Sequence, residues 1–482
     1  MNLPRFNHPP TNLIGPSLRS RHYDMADSSC GCNIRHFTMA ATTASRSRGS
    51  VLVIVMLISF GLISIALYFA NSMSMELRAS DNRMSGLSAD QAIEGAARYV
   101  GYILTLYATN GTVPDLTEYQ AEAVPVGNAA APEQNAHFWI IGRDPSGTPS
   151  SEPYFSLIDE GSKLNVNTAN TNALSYLPNM TLDFADAIAD WRSTNGVGTY
   201  ALNYSQVGYT DKNLPFETVD ELRLVYGATV DLLAGDDLNR NGVLDANEKS
   251  LNGGTTSTPG LFEYVTVCSR EPNFHSDGTS LTNVNTPAQL RALLQANFPS
   301  LASRITANAS YSSLLDFYLR WSTAGMTEQQ FAQVFDSITV TNAHYTRGRV
   351  NINTASAPVL TALFEGIGID QNTASGAAQS LVTYRRQNTN NLTSVAWIVD
   401  VLGRSSTVIQ ALQRGDYITT HSFQFTADIA ATGAYGRGYR RVKFLFDISE
   451  GMPEIIYRQD LSRLGWALGS KTRETWVAQN TR

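Results

Sequence analysis

From Ser50 to Ala70 the chain carries no Asp, Glu, Lys or Arg. At about 1.5 Å of rise per residue, a helix over this run spans roughly 30 Å, the hydrocarbon thickness of a bilayer. The apolar pattern then thins without stopping. Leu77, Met84, Leu87, Ala92, Ala96, Val100, Ile103 and Leu104 recur at helical spacing, and no Pro interrupts Asn71 to Tyr107. This predicts an amphipathic continuation with one face packed on a globular body. Asn110-Gly111 is the expected stop.

Beyond a Pro-, Ala- and Gly-containing loop over 111–135, the period changes. His137-Phe-Trp-Ile-Ile-Gly142 and Tyr154-Phe-Ser-Leu-Ile158 read as strands. Short helical patterns with Asn- and Thr-rich connectors fill 168–415. Period-two alternation returns in His421-Ser-Phe-Gln-Phe-Thr-Ala-Asp-Ile429. Arg440-Arg-Val-Lys-Phe-Leu-Phe-Asp-Ile448 and Glu454-Ile-Ile-Tyr-Arg458 follow. The expected fold class is α+β: a long N-terminal helix on a pilin-like antiparallel sheet, with a large, mainly α-helical domain containing helix-hairpin-helix-like units inserted between its early and late strands. The expected divisions are a leader at 1–49, the membrane and stem helix at 50–110, and the first part of the body at 111–167. The insertion takes 168–415, and the closing strands and tail take 416–482.

The insertion echoes itself. Leu164-Asn-Val-Asn-Thr-Ala169, Thr282-Asn-Val-Asn-Thr-Pro287 and Val350-Asn-Ile-Asn-Thr-Ala355 each precede an apolar helical pattern. Asn and Thr oxygens can cap the free amides of a following helix. Phe216 to Gly227 and Leu392 to Gly403 occupy equivalent places after the first and third copies. The unequal spacing argues against a stacked solenoid.

Charge orients the chain. Residues 1–49 hold six Arg against Asp24 and Asp27, about +4; the other 29 basic and 40 acidic residues leave about −11. Basic before a membrane helix and acidic after it is the positive-inside pattern, which places 71–482 outside the cytoplasm. An acidic body also argues against a general nucleic-acid footprint. Cys30 and Cys32 fall in the leader, so Cys268 has no partner for an internal disulfide.

Ordinary secretory signals are cleaved after their apolar region. Here the candidate processing site, Gly49 followed by Ser50, lies before it, so cleavage would leave the apolar helix on the mature chain. This layout resembles the type IV prepilin class, the pilins and pseudopilins, and implies a prepilin peptidase as a partner. Residues 1–38 read as an upstream extension, with Met39 the expected initiator. The order of patches extends the resemblance: Leu164-Asn-Val-Asn167, Asp190-Trp191, Phe216 to Gly227, Val350 to Ala355, then the strands from Ser422. It is similar to type II secretion system protein K. The resemblance implies a pilin-like body with a calcium-stabilised helical insertion. It also implies an inner-membrane, single-pass subunit whose partners are other minor pseudopilins, the pseudopilus and membrane lipid. The implied role is initiating or capping the pseudopilus tip for export of folded proteins from the periplasm. Most pilins carry Glu at mature residue five, to pair with a neighbouring subunit; counted from Ser50 that residue is Ile54, as expected of a tip subunit with nothing above it.

One stretch has sharp coordination chemistry. Asp237, Asn239, Asn241, Gly242, Asp245 and Glu248 match the loop pattern D-x-[DN]-x-[DN]-G-x5-E throughout, with Val243 offering its carbonyl. Alternate side chains point inward, Gly242 allows the turn, and Glu248 can add two oxygens, reaching the six or seven that Ca2+ takes. The flanks make poor helices, so an isolated structural calcium loop is expected. The alternative is a solvated acidic turn.

A rival reading starts at Gly366-Ile367-Gly368, followed by Arg385 and Arg386. This resembles a helix-hairpin-helix turn, which offers amides to a DNA phosphate, and would make the chain a membrane-anchored DNA-binding protein of an uptake pilus. Glu365 and Asp370 flank the turn with the wrong sign, and Pro178-Asn-Met180 replaces the glycines in the first copy. A further alternative is a calcium-binding surface protein with an uncleaved anchor. Asp183, Asp186 and Asp190 share a helical face beside Trp191 and read as a second cation site or a solvated face. No nucleophile-and-base spacing, phosphate loop or histidine metal pattern is present, so no enzyme is expected.

Overall fold

The structure is a computed structural model and describes residues 50–127, 131–144, 150–194, 198–304, 310–389 and 392–480. The leader, with Gly49 of the expected processing site, lies outside the described residues. The chain divides into two units, one ending at Asn71 and the other covering Ser72–Arg482.

One continuous helix, Ser50–Thr105, carries the membrane-length run. From Val51 through Phe69 its large apolar side chains are exposed. This helix is long and apolar enough to cross a membrane. It ends five residues before the expected stop. Leu106 and Tyr107 bond back to the carbonyls of Ile103 and Leu104, tightening the last turn, and Gly111 takes a φ of 61°.

The second half of this helix packs on a sheet through Ala89, Ala92, Ile93, Ala96, Ala97, Val100, Ile103 and Leu104. Four of these are Ala, and small side chains let the helix backbone approach the strands closely. Leu77, Met84 and Leu87 were expected on the same face but are exposed: packing begins at Ser85 and Gly86, after Leu77 and Met84, and Leu87 points away from the packed face.

The sheet has six antiparallel strands. Val124–Val126, Ala136–Ile141, Gln424–Thr432, Arg440–Asp447 and Glu454–Asp460 lie in that order, and Ile158–Asp159 also pairs with Gln424–Thr432. Val124–Val126 falls where only loop was expected. Phe425, Ala427, Ile429 and Ala431 face the stem helix. By the two-residue period of a strand, Gln424, Thr426 and Asp428 face the other way. They are buried too. The 160–420 region covers that face: Gln424 accepts from the Arg270 amide at 2.8 Å, and Thr426 donates to Glu160 at 2.7 Å. A C-terminal helix, Gly469–Asn480, follows the sheet where a tail was expected.

The inserted region has its own apolar core, running from Leu164 to Ile418. Three of its small strand pairs are parallel: Leu164–Asn165 with Val265–Thr266, Thr282–Asn283 with Ile338–Thr339, and Val350–Asn351 with Ile418–Thr419. Each Asn-x-Asn-Thr echo therefore opens a module that a later Thr-containing dipeptide closes.

The modules share a wiring scheme. The first Asn of each echo accepts the amide of the second: Asn167 to Asn165 at 2.9 Å, Asn285 to Asn283 at 2.8 Å, Asn353 to Asn351 at 2.9 Å. The second Asn then reaches across to distant backbone. Asn167 accepts from the Phe216 amide at 2.7 Å and donates to its carbonyl at 3.0 Å. Asn285 does the same with Tyr311, at 2.7 and 3.0 Å. Asn353 donates to the Leu392 carbonyl at 2.8 Å and accepts from the Trp397 indole at 3.1 Å. Asn suits this place because one carboxamide supplies a donor and an acceptor with peptide geometry. The middle module thus has a downstream anchor at Tyr311, alongside those at Phe216 and Leu392.

Candidate functional site

The loop at 237–248 follows the one-turn helix Val230–Leu233 and is wound by its own side chains. The Asp237 carboxylate accepts the amides of Asn241 at 2.9 Å and Gly242 at 2.7 Å. Arg240 and Gly242 take φ values of 59° and 88°, which turn the chain back on itself. Glu248 accepts from the amides of Asn239 and Asp245, both at 3.0 Å, and closes the ring. Asn239 and Asn241 donate to one Asp245 oxygen at 2.6 and 2.9 Å. Positions three, five and nine of the loop therefore meet at one point.

This donor set fits a hard cation. Every side-chain donor is an oxygen or a carboxamide whose oxygen and nitrogen exchange by a half-turn. Asp237, Asn239 and Asn241 are almost fully buried. Burial pushes the Asp237 carboxyl up to about 6, against the lowering influence of Arg143 at 4.0 Å. A divalent cation would favour the charged form of Asp237. Among the described residues no three His, Cys, Asp or Glu side chains converge on their own. Any metal here would need the two Asn side chains and backbone carbonyl oxygen as well.

The residues that hold the loop carry no local sequence signal. Arg441, fully buried on the sheet, pairs with Asp428 on the neighbouring strand through its Nε at 2.8 Å and through a second, shorter bond. Its remaining donors go to the carbonyls of Asn239 and Arg240. Asn239 and Asn241 also donate to the carbonyls of Trp466 at 3.1 Å and Ala467 at 3.3 Å. Arg143 bonds Glu263 at 2.7 Å and the Arg240 carbonyl at 3.3 Å. The loop is thus clasped between the first module and the sheet.

A second junction lies at Asp159. Its carboxylate accepts from the Gly161 amide at 2.7 Å, from Asn351 Nδ2 at 3.1 Å and from the Thr354 hydroxyl. Asn351 also donates to Ser422 at 2.9 Å. The opening Asn of the third module is thereby tied to the end of a sheet strand. Burial pushes the Asp159 carboxyl up to about 6.

The expected phosphate contacts take other roles. The helices Ala357–Gly366 and Gln371–Gln387 are joined by a short turn through Gly368. Gly366 faces the first module: a Cβ there would lie 2.4 Å from that of Ala173, and its carbonyl accepts from Asn170 at 3.0 Å. Arg385 is buried and donates to the Ile352 carbonyl at 2.9 Å, which removes it from a phosphate-binding role. Arg386 remains exposed. Asp190 accepts from the amides of Thr199 at 3.2 Å and Tyr200 at 3.0 Å, a loop-holding role. Ile54 is exposed on the membrane-length run.

Comparison with curated proteins returned no match. Among solved structures, the crystal structure of the GspK-GspI-GspJ complex from the enterotoxigenic Escherichia coli type 2 secretion system aligns at 11% identity. It covers 80% of this chain and 99% of that chain, with a TM-score of 0.36. A likeness of that extent carries no argument. A family model does match, that of type II secretion system protein K, over residues 350–407. This stretch starts at the third echo and takes in the helix pair and the Leu392 anchor. Across 350–407 the chain is similar to type II secretion system protein K, the family that its Asn-x-Asn-Thr patches resemble.

Proposed function

We propose that this chain is a minor pseudopilin of a type II secretion system, held in the inner membrane by its N-terminal helix with the rest of the chain in the periplasm. The observation that carries this reading is the presence on one chain of a membrane-length helix and a segment matching protein K. The role is one of assembly, not catalysis. Prepilin peptidase cleaves after Gly49, and the apolar helix of the mature chain packs among those of the other pseudopilins, where van der Waals contact selects partners. The chain takes the tip of the pseudopilus. Ile54 supports this, since an unpaired carboxylate in lipid at mature residue five is costly and a tip subunit has no neighbour to pair it.

The loop at 237–248 holds one structural Ca2+ through Asp237, Asn239, Asn241, Val243, Asp245 and Glu248. Its bonds to Arg441 and to the carbonyls of Trp466 and Ala467 favour a bracing role between the first module and the sheet. The DNA-binding reading loses its support with Arg385 buried and Gly366 turned toward Ala173.

N-terminal sequencing of the membrane-extracted protein tests the assignment. A mature terminus at Ser50 supports it. An intact leader on the membrane-bound protein excludes prepilin processing and favours a permanently anchored surface protein.

A further inference from the structure

A cavity of about 150 Å³ lies between the first module and the sheet. Phe262 and Val265 line it from the module; Lys443, Leu445 and Tyr457 line it from the sheet. A cavity of this size can take a benzene-sized molecule.

Its charges do not all pair within the protein. Glu160 pairs with Lys163 at 3.1 Å, Glu263 with Arg143 at 2.7 Å and Asp220 with Arg240 at 3.0 Å, while Asp428 is taken by Arg441. Lys443 is left over. Among the described residues it makes no ion pair and no side-chain hydrogen bond; its near contact is the Tyr457 ring, 5.9 Å away. Burial also holds its amine below the usual lysine value. A half-buried ammonium whose nearest acidic groups, Glu160 and Asp220, act on it only from beyond ion-pair distance is incompletely neutralised, and one carboxylate reaching it through the cavity would complete the pairing.

The surroundings select the class of anion. Glu160 and Asp220 stand close enough to act on Lys443 electrostatically, so a dianion such as phosphate meets repulsion. A single unpaired ammonium suits one carboxylate. Leu445 and Val265 suit an apolar remainder.

We propose that this cavity binds a small organic monocarboxylate, with its carboxylate on Lys443 Nζ and its apolar part against Leu445 and Val265.

Isothermal titration of the full chain in detergent micelles tests this, with protein-free micelles as the blank. Benzoate is expected to bind at least about tenfold more tightly than benzamide, its uncharged isostere, and inorganic phosphate more weakly than either. Lys443→Met is expected to lose at least about tenfold in benzoate affinity. The benzoate and benzamide comparison uses the unaltered chain and stands even where the variant folds poorly. Equal binding of benzoate and benzamide, absence of benzoate binding, or phosphate as the tightest ligand would each overturn the proposal.

Discussion

Asn285 grips Tyr311 as a strand grips its neighbour. Its Oδ1 accepts the Tyr311 amide at 2.7 Å and its Nδ2 donates to the Tyr311 carbonyl at 3.0 Å. It donates a second time, to the Val340 carbonyl at 2.9 Å. One side chain thus fastens the middle of a module to its closing end. Asn285→Ala strands a backbone amide and two carbonyl oxygens in a largely buried setting. The expected loss is about 2–4 kcal/mol, since each buried unpaired group costs about 1–3 kcal/mol and part of that is relieved by relaxation. Asn167→Ala, at the equivalent place in the first module, is expected to cost a similar amount. Urea unfolding of both variants checks this; a loss under about 0.5 kcal/mol in both would remove the modular wiring as a source of stability.

Much of this architecture is legible in the sequence, and the rest is hidden for physical reasons. The membrane-length run and the alternation in Phe425, Ala427 and Ile429 are local patterns, and local patterns survive in sequence. The three echoes are visible because each needs two Asn at fixed spacing, the first to turn its own strand and the second to bond distant backbone. The Tyr311 anchor was not visible, since its role is played by main-chain atoms that any residue supplies. The clasp under 237–248 was hidden for a different reason. Arg441 and Asp428 sit on adjacent strands of an alternating pattern that reads as half-solvated, and only the covering module makes them buried. Leu77 and Met84 misled, because helical spacing says which residues share a face and not where the packed partner begins; Leu87 misled because it lies off the packed face.

Calcium is expected to raise the melting temperature of a fragment spanning residues 72–482. The fragment has to include the stem from Ala89 to Leu104, because that stretch forms one wall of the body's core. At a concentration one hundred times the dissociation constant the gain is about 2.7 kcal/mol, or several degrees for a chain of this size. Asp237→Ala is expected to abolish the increment, and Glu248→Gln to reduce it. A melting curve indifferent to calcium in the parent fragment would sink the metal assignment.

Asp159 makes stability depend on pH. Its carboxyl is pushed up to about 6 in the fold, against an ordinary value of 3.8 in the unfolded chain. The folded state therefore holds its proton more tightly. The stabilisation is complete below the unfolded value and is lost as pH rises from about 4 through about 6, by about 3 kcal/mol at most. Asp159→Asn is expected to flatten the stability profile over that window whatever its absolute effect. Urea midpoints at about pH 4.5 and 7 for both proteins measure the difference, and identical slopes would show that Asp159 does not carry it.

The Arg441–Asp428 pair lends itself to a double-mutant cycle. Arg441 is fully buried, so Asp428→Ala leaves an uncompensated cation under the sheet, with an expected cost of about 3–5 kcal/mol. Arg441→Met also frees the carbonyls of Asn239 and Arg240 and is expected to lower calcium affinity at 237–248. The double variant should cost less than the two single changes together, because each alone strands the other charge. Additive losses would mean that the two side chains do not act as a pair.

Gly366→Ala separates the packing role of the Gly366 turn from a phosphate-binding one. The added methyl would sit 2.4 Å from the Ala173 Cβ, far inside contact distance, and the nearest atoms include Ala173 backbone that cannot swing aside. The short helix Thr171–Ser175 must therefore move, stretching the bond from Asn170 to the Gly366 carbonyl. Overpacking of this kind costs about 1–3 kcal/mol. A companion change, Arg386→Ala, alters an exposed cation at the far end of the helix that follows the turn, roughly 22 Å along its axis, and is expected to leave stability within about 0.5 kcal/mol. If the turn served a nucleic acid, Arg386→Ala would weaken salt-sensitive binding and Gly366→Ala would act through affinity alone. The packing role requires the opposite: a fall in the unfolding midpoint for Gly366→Ala, none for Arg386→Ala, and no salt-dependent gel shift in the parent protein.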